Sequence, residues 1–281
     1  FVHGLLSDPS TWADLANEIR AHPNLSNRYQ LWAYEYATGE PFLTSAAILR
    51  RQLTQVRCTY DPDRLDAAMS QMVLLGHSMG GLVAKLQVTQ SGNQLWNAVA
   101  NQPISNVVTT HEVRSQLLEA FYFQPSMDIA RVLYMGTPHL GSSWARRPVG
   151  RLGSALVDPA EESKDVHRQL TDDNPTLFSE ELSSRFPTSI DLLEPESQLL
   201  SATTMLPYSA AVTLHSIVGN SRTNMNGEPT DGVVPVSSAH LPGVASELIV
   251  DAKHEMLHRD PATLAEVVRI LREHTFQTTR Q

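Results

Sequence analysis

The chain of 281 residues contains a single cysteine, Cys58. That excludes an internal disulfide and a cysteine-based metal site. Cys58 follows an apolar-periodic helix and reads as a packing residue. No apolar run reaches the length needed to cross a bilayer as a helix. Basic residues are the minority: 21 Lys and Arg stand against 30 Asp and Glu, a formal net charge of −9. No basic stripe is available to neutralise phosphates, which argues against a nucleic-acid partner. The chain opens at Phe1-Val-His-Gly4, inside what reads as a strand, without Met or leader. The expectation is a fragment or trimmed chain, and no targeting signal assigns a compartment.

What is present suits a globular protein. Apolar residues make up 41% and charged residues 18%, enough for a full core. The length fits one large α/β domain or a domain with an insertion. Strand signals at residues 1–3, 29–36, 73–75, 129–135, 212–218 and 247–250 alternate with helical periodicity. The helical stretches fall after Asp8-Pro9, over 42–56, 63–70, 81–88 and around 115–123, and after Asp260-Pro261. Such alternation predicts a mostly parallel sheet of about six strands covered on both faces. Residues 142–211 break the pattern, with helix-like pieces, several prolines and no clear strand. They read as an insertion, so the core spans 1–141 and 212–281. The insertion is either a helical cap lining a substrate pocket or a decoration of the sheet edge.

The stretch Val73-Leu-Leu-Gly-His-Ser-Met-Gly-Gly81 carries the chemistry. A short apolar strand runs into a helix through Gly76-His-Ser-Met-Gly80, the G-x-S-x-G pattern and context of a nucleophile elbow. The glycines are expected where side chains would strike neighbouring backbone. A serine needs a base, and the base an orienting acid. His254 follows the strand at 247–250, at the sheet edge where α/β sites lie. His258, four residues on, is the competitor. The acid is expected after the strand at 212–218, where Asp231-Gly-Val-Val-Pro235 fits and Glu228 and Asp251 are alternatives. An oxyanion hole would use the backbone N–H of Met79, the residue after Ser78. Its second N–H would come from Leu5 in the His3-Gly4 turn, or from Leu6. His77, His139, His215, His240 and His274 read as structural or surface residues, and His3 as a support of its loop.

Together FVHGL, GHSMGG, GTPHLGS (136–142), DGVVPVSSA and KHEMLHRDP resemble the α/β-hydrolase lipases and esterases. GTPHLGS is similar to a segment of bacterial triacylglycerol lipases and of lipases related to GPI inositol-deacylases. The resemblance covers nearly the whole chain. It implies an α/β-hydrolase fold with a helical cap, and ester hydrolysis through an acyl-enzyme. It also implies Ser78 as nucleophile, Asp231 as acid, His254 as base, and Leu5 with Met79 as oxyanion donors. The substrate would be a small-molecule or lipid ester, with a membrane or lipid surface as a possible contact of the cap. No cofactor is implied. Related lipases often bind structural calcium, but no acidic ligand set stands out here and no metal is expected. The resemblance leads to the expectation that strands usually preceding the HG strand are missing from this stretch. Amidase, thioesterase or acyltransferase chemistry, or a catalytically silent binding protein, are the rival readings.

Overall fold

The computed structural model describes residues 1–143, 160–178, 183 and 186–278. Four parallel strands form the sheet: β1 (Met72–His77), β2 (Ile129–Met135), β3 (Thr213–Gly219) and β4 (Ser246–Val250), in the order β1-β2-β3-β4. Val2 extends it beyond β1 through a parallel bridge to Gly76, and Tyr34 bridges Val2 in turn. The stretch expected as a strand over 29–36 thus contributes one bridge among its described pairings. The chain runs from the Val2 lane outward to Tyr34, then returns to β1 on the inner side. The sheet reverses its order between Val2 and β1, and ligand crevices form at such a switch point, beyond the strands' carboxyl ends.

Each strand alternates its side chains between two apolar layers. Leu75, Leu133, Met135 and Ile217 pack under α1 (Ala13–Ala21) and the C-terminal helix Pro261–Thr278, with Leu15, Ile19, Val267 and Leu271. On the other face lie α2 (Phe42–Tyr60) and α3 (Met79–Lys85), which bury Phe42, Leu43, Leu82, Val83 and Leu86. Leu192, Leu193, Leu199, Leu200 and Leu206 of the insertion join this second cluster.

Several local expectations are revised. The α2 helix continues to Tyr60, and Cys58 lies exposed on it rather than packed. A helix expected over 63–70 is only a 3-10 turn, Ala67–Ser70, because Arg64 adopts a positive φ of 55° and Asp66 caps the turn. The helix expected near 115–123 starts earlier, as α4 (His111–Phe121), since Thr110 accepts from the Val113 N–H as its N-cap. His274, expected at the surface, is buried, hydrogen-bonded to the Gln71 carbonyl at 3.0 Å and stacked on Tyr29. Described helices of the insertion are α5 (Glu161–Asp173), the short turn Ser189–Leu192 and α6 (Gln198–Thr204). Residues 144–159, 179–182 and 184–185 of the expected cap lie outside the described residues.

His215 on β3 is buried. Its Nε2 accepts from Arg131, so its proton sits on Nδ1, which donates to Ser246 Oγ at 2.7 Å. Burial, then the Arg131 guanidinium, push it down to about 4 from the ordinary 6.5. Between those values the unfolded chain binds a proton that the folded protein refuses. Stability therefore rises with pH across this window, and above it this group has no effect. The slope of unfolding free energy against pH, from urea titrations at pH 4.5–6.5, should be shallower in His215→Gln than in the parent. Equal slopes would contradict this account.

Candidate active site

β1 ends at His77, and Ser78 turns the chain directly into α3 with φ 54° and ψ −129°. A non-glycine residue pays about 1–3 kcal/mol for such backbone. The turn is held by the Ser78 N–H on the Met135 carbonyl at 2.9 Å and the Gly81 N–H on the Ser78 carbonyl at 2.9 Å. The glycines are demanded by proximity. A Cβ at Gly76 would lie 2.6 Å from the Gly80 carbonyl oxygen, and one at Gly80 would lie 2.3 Å from those of Val2 and His3. At Gly81 the obstacle is the Thr137 side chain.

The candidate acid and base meet as a pair. His254 Nδ1 lies 2.7 Å from Asp231 Oδ2, and the His254 N–H donates to the Asp231 carbonyl at 3.0 Å. Asp231 is 1% exposed, and its Oδ1 accepts from the N–H groups of Val233 and Val234 at 2.9 and 2.7 Å. The backbone after Asp231 thus folds onto its carboxylate and aims the other oxygen at His254. With its proton on Nδ1, the neutral imidazole leaves Nε2 free to accept one. Among the described residues no hydrogen bond joins the Ser78 hydroxyl to His254. Both residues are 8% exposed. In unliganded sites such bonds are commonly long and close only around substrate.

The alternatives are engaged elsewhere or exposed. Glu228 binds Asn224 and Ser237. Asp251, one residue past the end of β4, is exposed. His258 Nε2 pairs with Thr11 Oγ1 at 3.1 Å, and burial, then Arg259, lower it to about 4.

The turn at residues 3–6 stands beside the elbow. A Cβ at Gly4 would lie 2.9 Å from Ser78 Cβ. His3 Nδ1 donates to the Gly4 carbonyl at 3.0 Å and its ring stacks on Tyr36, whose hydroxyl donates to the His3 carbonyl at 2.7 Å. The Leu6 N–H faces Thr38 Oγ1 at 3.4 Å. Among the described residues the Leu5 and Met79 N–H groups donate to no protein acceptor, and Met79 is the first residue of α3, where none exists within the helix.

The insertion is tied to the loops around this turn. Ser189 Oγ binds the Thr38 and Glu40 carbonyls, the Ser142 N–H donates to the Leu193 carbonyl at 2.9 Å, and Thr204 Oγ1 donates to the His139 carbonyl at 2.9 Å. Between α2, α4 and the insertion, α5 included, lies a cavity of about 720 Å³, lined by apolar side chains such as Leu43, Ala47 and Leu199 and by charged ones such as Glu112, Glu119 and Glu196. Ser78, Asp231 and His254 do not line it. Leu43 and Leu199 belong to the same apolar cluster as Met79, against which Leu5 packs.

His77 has a larger part than its sequence position suggested. Its ring lies against His254 with centroids 4.7 Å apart, and its Nε2 is 3.0 Å from the His254 carbonyl oxygen. No spacing rule would find this contact, which links residues 177 positions apart.

The sequence profile of the alpha/beta hydrolase family matches residues 1–267. No curated protein matches the chain. Among solved structures, the mature lipase BlEst2 of Bacillus licheniformis is similar at 16% identity and a TM-score of 0.55, over 96% of this chain and 90% of that one. The Staphylococcus hyicus lipase is similar at 12% identity and TM-score 0.55, over 100% and 94%. Phospholipase PlaB of Legionella pneumophila is similar at 13% identity and TM-score 0.56, over 96% and 59%. At such identities the likeness is one of fold.

Gly80→Ala should lower stability by about 1–3 kcal/mol or more, because the new methyl meets backbone that cannot turn aside. Gly92→Ala, at φ 51° with open space around it, should cost only the roughly 1–2 kcal/mol of left-handed backbone. Urea midpoints of the two variants test the order.

Proposed function

The chain belongs to the α/β-hydrolase family, and from that premise we propose that it is a serine hydrolase cleaving carboxylic esters through an acyl-enzyme. The observation that carries this reading is the His254–Asp231 pair beside a strained serine elbow, at the switch point of the sheet. The fold likeness to bacterial lipases adds support.

His254 Nε2 takes the Ser78 proton as Oγ attacks the ester carbonyl. The oxyanion that forms is held by the N–H groups of Leu5 and Met79. Asp231 keeps the imidazole in the required tautomer and stabilises its charged form. The imidazolium gives its proton to the leaving alcohol. Water, activated by the same imidazole, then releases the acid and restores Ser78. The Leu6 N–H, already facing Thr38, makes the weaker second donor.

Residues 142–211 act in this reading as a cap between the two core segments, 1–141 and 212–281. Its ties to the loops at 38–40 and 139–142 support that role. The cavity beneath it has the size of sites that hold drug-sized ligands, and the apolar part of its lining, with Leu43, Val99 and Leu199, suits the acyl part of an ester.

Ser78→Ala should abolish hydrolysis of nitrophenyl esters and labelling by a fluorophosphonate, with the thermal midpoint kept. Asp231→Asn should lower kcat on the order of 10⁴-fold, the cost of the wrong imidazole tautomer in the best-studied triad, while Asp251→Asn stays close to the parent. A panel of matched esters, amides and thioesters separates ester cleavage from the other acyl-transfer chemistries. Narrowing the cavity with Ala47→Phe should shift the preferred nitrophenyl ester to a shorter acyl chain. An unchanged chain-length profile would detach the cavity from the acyl group.

A further inference from the structure

His77 is a buried histidine that the mechanism above does not use. It stands at the end of β1, immediately before Ser78, and its own N–H donates to the Val2 carbonyl at 3.1 Å. Its ring is wedged between three parts of the site. Nε2 faces the His254 carbonyl at 3.0 Å, the ring lies tilted on the His254 imidazole, and it makes a T-shaped contact with the His258 ring, with centroids 5.5 Å apart. The other nitrogen points towards the turn that carries Leu5: a Cβ on Gly4 would lie 3.2 Å from His77 Nδ1.

The chemistry of the contact fixes the proton. A carbonyl oxygen only accepts, so His77 must carry its hydrogen on Nε2 and leave Nδ1 bare. That Nδ1 is buried with no partner among the described residues. Burial, with the neighbouring His254 and His258 adding to it, holds His77 well below the usual histidine range. The ring is therefore a neutral, fixed donor.

His254 is consequently gripped at three points. Its Nδ1–H and its backbone N–H both go to Asp231, and its backbone carbonyl goes to His77. Asp231 sets the direction of the imidazole. Among the described residues Asp231 makes no hydrogen bond to the serine elbow, however, and so cannot by itself set how far Nε2 stands from Ser78. His77 is attached covalently to Ser78 and by hydrogen bond to the His254 loop. We propose that His77 is a positioning residue, whose Nε2–H holds the backbone carbonyl of His254 and thereby sets the separation of the serine elbow from the base. The inference rests on the reading of Ser78 and His254 as nucleophile and base.

The test uses substitutions that separate ring packing from the donor. His77→Phe keeps a ring against His254 and removes the N–H. His77→Gln places an amide N–H where Nε2 stands. His77→Asn places it where Nδ1 stands, away from the carbonyl. With a nitrophenyl ester, His77→Phe and His77→Asn should lose kcat by roughly 10- to 100-fold, the scale of an ångström of misplacement, at a KM within about twofold of the parent. His77→Gln should recover most of that loss. A Gln variant no faster than the Asn variant would overturn the clamp, and so would a folded Phe variant with parental kcat. If His77→Phe does not fold, the Gln and Asn pair carries the comparison. A second readout is independent of turnover: the downfield proton resonance of His254 Nδ1–H bonded to Asp231. It should stay sharp in the parent and in His77→Gln, and broaden by exchange with water in His77→Asn. Equal line shapes would overturn the clamp. If Ser78→Ala instead retains esterase activity, the functional reading fails, and the resonance alone decides whether His77 holds the loop.

Discussion

A backbone crossing with no space for a side chain carries the site. The first turn of α3 runs so close to the extended chain at Val2 and His3 that a Cβ at Gly80 would sit 2.3 Å from two carbonyl oxygens. That approach brings the 3–6 turn against Ser78, where a Cβ on Gly4 would lie 2.9 Å from Ser78 Cβ. It also forces Ser78 into backbone costing about 1–3 kcal/mol. The helix that follows repays it. Leu82, Val83 and Leu86 are fully buried against the sheet and α2, and each such side chain is worth roughly 1.5–3 kcal/mol. Packing exceeds strain, so the elbow persists.

Around that crossing, histidine burial is used repeatedly to fix tautomers. His3 donates from Nδ1 to the Gly4 carbonyl, His77 from Nε2 to the His254 carbonyl, and His215 from Nδ1 to Ser246. In each case the partner can serve only one role, or a neighbour already fills the other nitrogen. Desolvation lowers all three, and a neutral ring is a directional donor rather than a charge. His254 differs in kind, since a buried carboxylate faces its Nδ1.

The insertion packs against the same side of the sheet. Its leucines complete the apolar layer over α2 and α3, and its hydroxyls and carbonyls tie it to loops at 38–40 and 139–142. The same contacts that stabilise this layer hold the turn at 3–6, because Thr38 lies between Ser189 and the Leu6 N–H. Rearrangement of the insertion and rearrangement of the turn are thus physically linked.

The parallel sheet and the strand–serine–helix turn were legible in the sequence, because they rest on local properties. Apolar blocks of strand length, helical periodicity and glycines around Ser78 need only neighbouring residues. The choice of Asp231 and His254 as candidates rested instead on the chain order of the family the sequence resembles. Where local signals compete with long-range packing, the reading was revised. Arg64 takes a positive φ and cuts a helix short, and His274 looks like a surface residue until Tyr29 and Gln71 cover it. The meeting of Asp231 with His254, and the place of His77 beneath them, belong to the tertiary structure alone. Hydrogen bonds across 23 and 177 residues leave no period or spacing in the chain. They arise only when parallel strands bring the carboxyl ends of β1, β3 and β4 to one edge.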